Sequence, residues 1–132
     1  MGSFMRILLD TCAFIWLASD PQHLGSGARS ALEDPHKDRF LSAASVWEIV
    51  LKYHNGKLPL PQPPEEWIEE QTRVQDISIM NLERSVIYQS GRLPIVHRDP
   101  FDRMIAADSL IHKMPILTPD EPFREYGCHV IW

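Results

Sequence analysis

Short apolar runs alternate with longer amphipathic stretches along this chain. Arg6-Ile7-Leu8-Leu9 is a compact run closed by Asp10, the pattern of a buried strand. Thr11 to Ala18 predicts a helix ending near Asp20-Pro21. A second helix is predicted from Leu24 to Glu33, where Leu24, Ala28 and Leu32 recur every four residues. Asp34-Pro35 stops it. Arg39 to Ser42 predicts a second strand. Ser45 to Tyr53 predicts a strong helix, with Val46, Val50 and Tyr53 on one face and Asn55-Gly56 as its end. Leu58 to Pro64 carries four prolines and predicts a loop. Glu65 to Val74 predicts a helix, Asp76 to Ile79 a third strand, and Leu82 to Ser90 a helix stopped by Gly91. Pro100 to His112 is the clearest late helix, and Pro115 to Leu117 and His129 to Ile131 read as the last strands.

Strands that alternate with helices predict a parallel sheet covered on both faces, a three-layer α/β/α domain with a central, mainly parallel sheet. The 132 residues suit one domain with a real core. Met1 to Phe4 precede Met5 and are set aside as a candidate expression scar. No apolar run reaches the ~18 residues of a membrane span, and no secretory leader is visible. Cys12 and Cys128 read as reduced, buried small residues, since no CxxC or Cys/His spacing accompanies them. The expectation is a cytoplasmic protein with no membrane partner.

In parallel sheets, ligands sit beyond the carboxyl ends of the strands, and the acids fall there. Asp10 is the first residue after strand one. Glu48 is placed in the first turn of the helix after strand two. Asp120 follows the strand Ile116-Leu117 by two residues beyond it. Asp99 and Asp102 open the late helix. Each has a local reading. Ser45 and Glu48 match a capping box. Asp99-Pro100 matches an N-cap with proline at the first helical position. Pro119-Asp120 suits a turn, and Asp10 suits a cap. Capping acids, however, need not gather at one end of a sheet, and carboxylates packed together repel. A hard divalent cation, Mg²⁺ or Mn²⁺, relieves that repulsion. Such ions support phosphodiester hydrolysis.

The net charge of −5 argues against a nucleic-acid binder until these five acids are set aside, which leaves thirteen acids against thirteen bases. Arg98 and Arg103 flank the acid pair and are candidate phosphate contacts. His97 stands beside them as a candidate proton donor, against a plain loop role. Trp16, Trp47 and Trp67 read as core or interface residues. An aspartyl-phosphate phosphatase would want a DxD pair, and position 12 is Cys12. The other alternative is an inert domain of the same fold that only binds RNA or protein.

Leu8-Leu9-Asp10-Thr11, the segment Ser42 to Ile49, the segment His97 to Ala107 and Leu117-Thr118-Pro119-Asp120, in this order and spacing, resemble the PIN domain. They are most similar to the VapC-type toxins of bacterial toxin–antitoxin modules. The resemblance covers Ile7 to Trp132. It implies Mg²⁺- or Mn²⁺-dependent endoribonuclease activity, an RNA substrate, a homodimer and a cognate antitoxin. It implies that Asp10, Glu48, Asp102 and Asp120 are the metal-binding, catalytic acids, with Asp99 as an added acid. Thr11, Ser45 and Thr118 would be hydroxyls that orient carboxylates or water.

Overall fold

A computed structural model describes residues 5–96 and 98–132. The order of elements is β1 (Arg6–Leu9), α1 (Thr11–Ser19), α2 (Ser26–Glu33), β2 (Asp38–Ser42), α3 (Ala43–His54), α4 (Pro64–Val74) and β3 (Ile77–Met80). Then follow α5 (Arg84–Arg92), α6 (Pro100–His112), β4 (Ile116–Leu117), α7 (Pro122–Glu125) and β5 (Val130–Ile131). The five strands form one sheet in the order β3-β2-β1-β4-β5. Every pairing is parallel, with Leu9 opposite Leu41 on one side and Leu117 on the other. The predicted three-layer α/β/α architecture is therefore present, and the sheet is wholly parallel.

Alternation along the strands divides the core. Ile7 and Leu9 point to one face and pack with Phe14, Ala28, Leu32, Ile49, Trp67 and Ile68. Leu8 and Ile116 point to the other, against Met104, Ile105, Ala106 and Phe123. Phe14 and Trp67 meet edge to face with ring centres 5.6 Å apart. At the β5 edge, the main chain of Trp132 runs against Gly25. A Cβ on Gly25 would lie 2.0 Å from the Trp132 oxygen, so only glycine admits this approach.

Four local expectations change. Leu24 is not helical: a 3₁₀ turn, Pro21–His23, precedes it, and α2 starts at Ser26. The third helix starts two residues before Ser45, because the Ser42 hydroxyl accepts the Ala44 N–H at 3.0 Å and caps it. Ser45 is thus inside the helix, no Ser45–Glu48 capping box forms, and Glu48 sits in the second turn. Gly91 is inside α5 and does not end it; the stop falls at Leu93, whose extended backbone precedes Pro94. The short α7 was not expected. Met1 to Phe4 and His97 lie outside the described residues.

Candidate active site

Parallel strands deliver their following residues to one edge, and here that edge collects acids. Asp10 leaves β1 and caps α1, its carboxylate accepting the Ala13 N–H at 2.7 Å. Its own N–H donates to the Leu117 carbonyl at 3.1 Å. This ties the end of β1 to the end of β4. Thr118, fully buried just after β4, hydrogen-bonds the Asp10 carboxylate with its hydroxyl. The same hydroxyl oxygen accepts the Asp120 N–H at 3.1 Å. One side chain therefore places two of the candidate acids.

Glu48 reaches the site from α3. Thr11 lies within 2.6 Å of its Oε1 and 2.9 Å of the Ser45 Oγ, joining α1 to α3 through three buried side chains. Lys52, one turn on, lies 2.5 Å from Glu48 Oε2. Burial pulls the Lys52 ammonium down. The hydrogen bond to Glu48 and the charges of Glu48, Asp99 and Asp102 outweigh that and raise it. The first turn of α6 supplies the other pair. Asp99 accepts the Phe101 and Asp102 N–H groups at 2.9 and 3.4 Å, with Pro100 at the first helical position. Phe101 packs edge to face on Trp47, ring centres 5.0 Å apart, which pins α6 to α3 beside Glu48 and Asp102.

Electrostatics shows which acids share one field. Asp10 is 2% exposed. Burial pushes its carboxyl up, the Thr118 and Ala13 bonds oppose this, and Asp120 and Asp102 push it further, to about 7 from 3.8. Cys12, half-buried beside them, feels the same field. Burial, then Asp10, Asp120, Glu48 and Asp102, push its thiol up to about 12, so it stays a neutral thiol. Asp10, Glu48, Asp102 and Asp120 thus all act on the charge of Cys12, as Asp99 does on that of Lys52.

The donors are hard oxygens, suited to Mg²⁺ or Mn²⁺. Among the described residues, no three His, Cys, Asp or Glu side chains close tightly enough to hold an ion unaided. The raised Asp10 is the observation that fits a cation, since a nearby positive charge removes the cost of ionising it. Arg98 is exposed, one residue before Asp99 in the chain. Arg103 is engaged elsewhere: its guanidinium donates to the carbonyls of Pro94, Ser90 and Leu93 at 2.9, 2.7 and 2.8 Å and lies over the Tyr126 ring. Sequence reading missed Cys12 and Lys52. The Glu48–Lys52 spacing of four residues on one helix was the available signal for the second.

A wholly parallel sheet between helical layers, with carboxylates collected beyond its carboxyl edge, defines an α/β domain with an acidic site. The PIN domain model matches residues 7–127. The chain belongs to the PIN-domain family. Over 45 residues it is 40% identical to ribonuclease VapC16 of Mycobacterium tuberculosis, a segment covering 34% of this chain and 32% of that protein. The chain thus matches about a third of that relative's length. The fold is similar to VapBC2 from Rickettsia felis bound to a promoter DNA fragment, with TM-score 0.72, 12% identity, and 96% and 97% of the two chains covered. It is also similar to FitAcB from Neisseria gonorrhoeae, with TM-score 0.61, 24% identity, and 94% and 95% covered. DNA-bound VapBC from Salmonella typhimurium gives TM-score 0.67 at 14% identity over 96% and 97%. Among the described residues, no helix is long and apolar enough to cross a membrane.

Proposed function

We propose that this protein is a divalent-metal-dependent endoribonuclease of the VapC kind, the toxin of a toxin–antitoxin pair. The observation that carries the reading is the buried Asp10, held up at about 7 by burial and by two further acids from other elements. A fold gains nothing in stability from such a cluster. A catalytic cation site explains it, and the PIN-family match and the VapC16 likeness support the same reading.

Asp10, Glu48, Asp102 and Asp120 would hold Mg²⁺ or Mn²⁺, with Asp99 at the rim. Such an ion, when bound, activates water and offsets charge that gathers on the phosphodiester. The chain's own residues prepare this. Thr118 fixes the Asp10 carboxylate, and Thr11 with Ser45 fixes Glu48. Lys52 holds counter-charge against Glu48. Asp99 organises the first turn of α6, which presents Asp102. Arg98 is a contact for substrate phosphate. The protein would act in the cytoplasm as a homodimer, restrained by a cognate antitoxin that lays an apolar segment near the early helices and covers the acids.

The test is cleavage of a panel of structured RNAs by the purified chain in Mg²⁺, Mn²⁺ and EDTA, beside Asp10→Asn. Metal-dependent cuts that the variant loses by at least about 100-fold are expected. Equal cleavage by both proteins would sink the assignment. An absence of cleavage and of metal binding would favour an inert binding domain of the same fold.

A further inference from the structure

Glu48 has both of its carboxylate oxygens engaged from within the chain. Thr11 lies 2.6 Å from Oε1, and the Lys52 ammonium lies 2.5 Å from Oε2. Glutamate followed four residues later by lysine is the ordinary ion pair of an exposed helix face, and exposed pairs of that kind add little to stability. This pair differs in its surroundings. The Glu48 side chain is 5% exposed and that of Lys52 is 45% exposed. The ammonium therefore reaches in from solvent to a buried carboxylate. There it also stands in the field of Asp99 and Asp102, which open α6.

Arg103, the basic residue next to Asp102 in the chain, is turned to the carbonyls of Pro94, Ser90 and Leu93. Lys52, by contrast, is a cation that the fold sets directly on a candidate metal ligand. A divalent ion bound through Oε2 needs the place that this ammonium holds. At equal distance a dication attracts a carboxylate twice as strongly as an ammonium does. Lys52 can yield without disturbing the core, because its four-carbon stem is flexible and nearly half of the side chain already meets water.

We infer that Lys52 is a tethered stand-in for the divalent ion: it neutralises Glu48 until the ion arrives, and the ion binds by displacing it. The inference rests on the metal-dependent nuclease reading above. Lys52 is then a positioning residue that sets how much metal the site demands. Without an opposing cation, Glu48 would add its repulsion to that among the other acids. Thr11, on the second oxygen, keeps the carboxylate in place during the exchange.

The experiment strips the full chain of metal with EDTA, removes the EDTA by dialysis and titrates with Mn²⁺, reading free Mn²⁺ by electron paramagnetic resonance. Lys52→Met keeps the stem and removes the charge. It should tighten Mn²⁺ binding about tenfold, the worth of one charge-assisted hydrogen bond. Lys52→Arg keeps the cation and should bind Mn²⁺ as the wild type does. The gain in Lys52→Met should persist from low salt to about 0.5 M KCl, because salt screens a buried contact far less than exposed charges. The Mn²⁺ concentration that half-activates RNA cleavage should fall by the same factor. Weaker Mn²⁺ binding by Lys52→Met would mean that the lysine only holds Glu48 in shape, and equal binding that it is a bystander. Either result overturns the inference, while metal-dependent cleavage by the wild type leaves the nuclease standing. A gain that high salt erases comes from long-range charge and overturns it too. A wild type that neither binds Mn²⁺ nor cuts RNA removes both readings.

Discussion

Asp10 serves two ends at once, as the cap of α1 and as the most perturbed carboxylate in the site. Its pKa near 7 lies above the ordinary 3.8, so the metal-free fold binds this proton more tightly than the unfolded chain does. The stability it contributes is full below about pH 4 and is lost as pH rises through about 7. In EDTA, thermal stability should fall across that window, by on the order of a few kcal/mol from this group. Asp10→Asn, which keeps a cap acceptor, should flatten the curve and stabilise the metal-free protein at pH 8. Parallel melting curves for the two proteins would remove the electrostatic argument. Thr11 belongs to the same scale, because its hydroxyl touches both Ser45 and Glu48. Thr11→Val keeps the shape and removes the bond. Metal-dependent cleavage should fall about 10- to 100-fold while the melting point moves little. Wild-type activity in that variant would leave Thr11 with a packing role alone.

The elements are joined by cations that answer carbonyl ends, and this explains two boundaries. Arg39 donates to the Gln75 carbonyl at 2.9 Å and to the Leu32 carbonyl, closing the C-terminal ends of α4 and α2. Arg103 does the same for α5. Its neighbourhood to the acids in sequence suggested a substrate contact, yet the guanidinium is spent on three carbonyls. Arg103→Leu should lower unfolding stability by about 2–3 kcal/mol, read from the urea midpoint, since carbonyls lose charged donors. A variant as stable as wild type would show that water replaces those bonds without cost. Trp47, expected in the core or at an interface, lies outside the core. Its ring rests on Phe101 and stays 53% exposed, so it links α3 to α6 at the rim of the site.

At the scale of the molecule, the acids come from four separate chain segments and meet only because the strands are parallel. If a cation is what reconciles them, it binds the folded chain and not the unfolded one. Mn²⁺ at a hundred times its dissociation constant should then add about 2.7 kcal/mol of stability. Scanning calorimetry with Mn²⁺, then with EDTA, checks this. Asp10→Asn should abolish the gain. An equal gain in the variant would place the ion elsewhere.

The sequence by itself determined the alternation of strands and helices, the parallel three-layer architecture and the position of every candidate acid but Glu48 after a strand or at a helix start. These follow from local periodicity and capping chemistry, which a chain carries in its own order of residues. Pro100 to His112 was legible to the residue, because Asp99 caps it and Pro100 fixes its first turn. Contacts between distant segments decided the rest. Glu48 and Ser45 looked like one capping box, but Thr11, more than thirty residues away, engages both. Gly91 looked like a stop, but α6 holds that end of α5 through Arg103. Cys12 carries no motif of its own. It came to share the field of four carboxylates only through folding, because charge acts through space while sequence spacing records only distance along the chain.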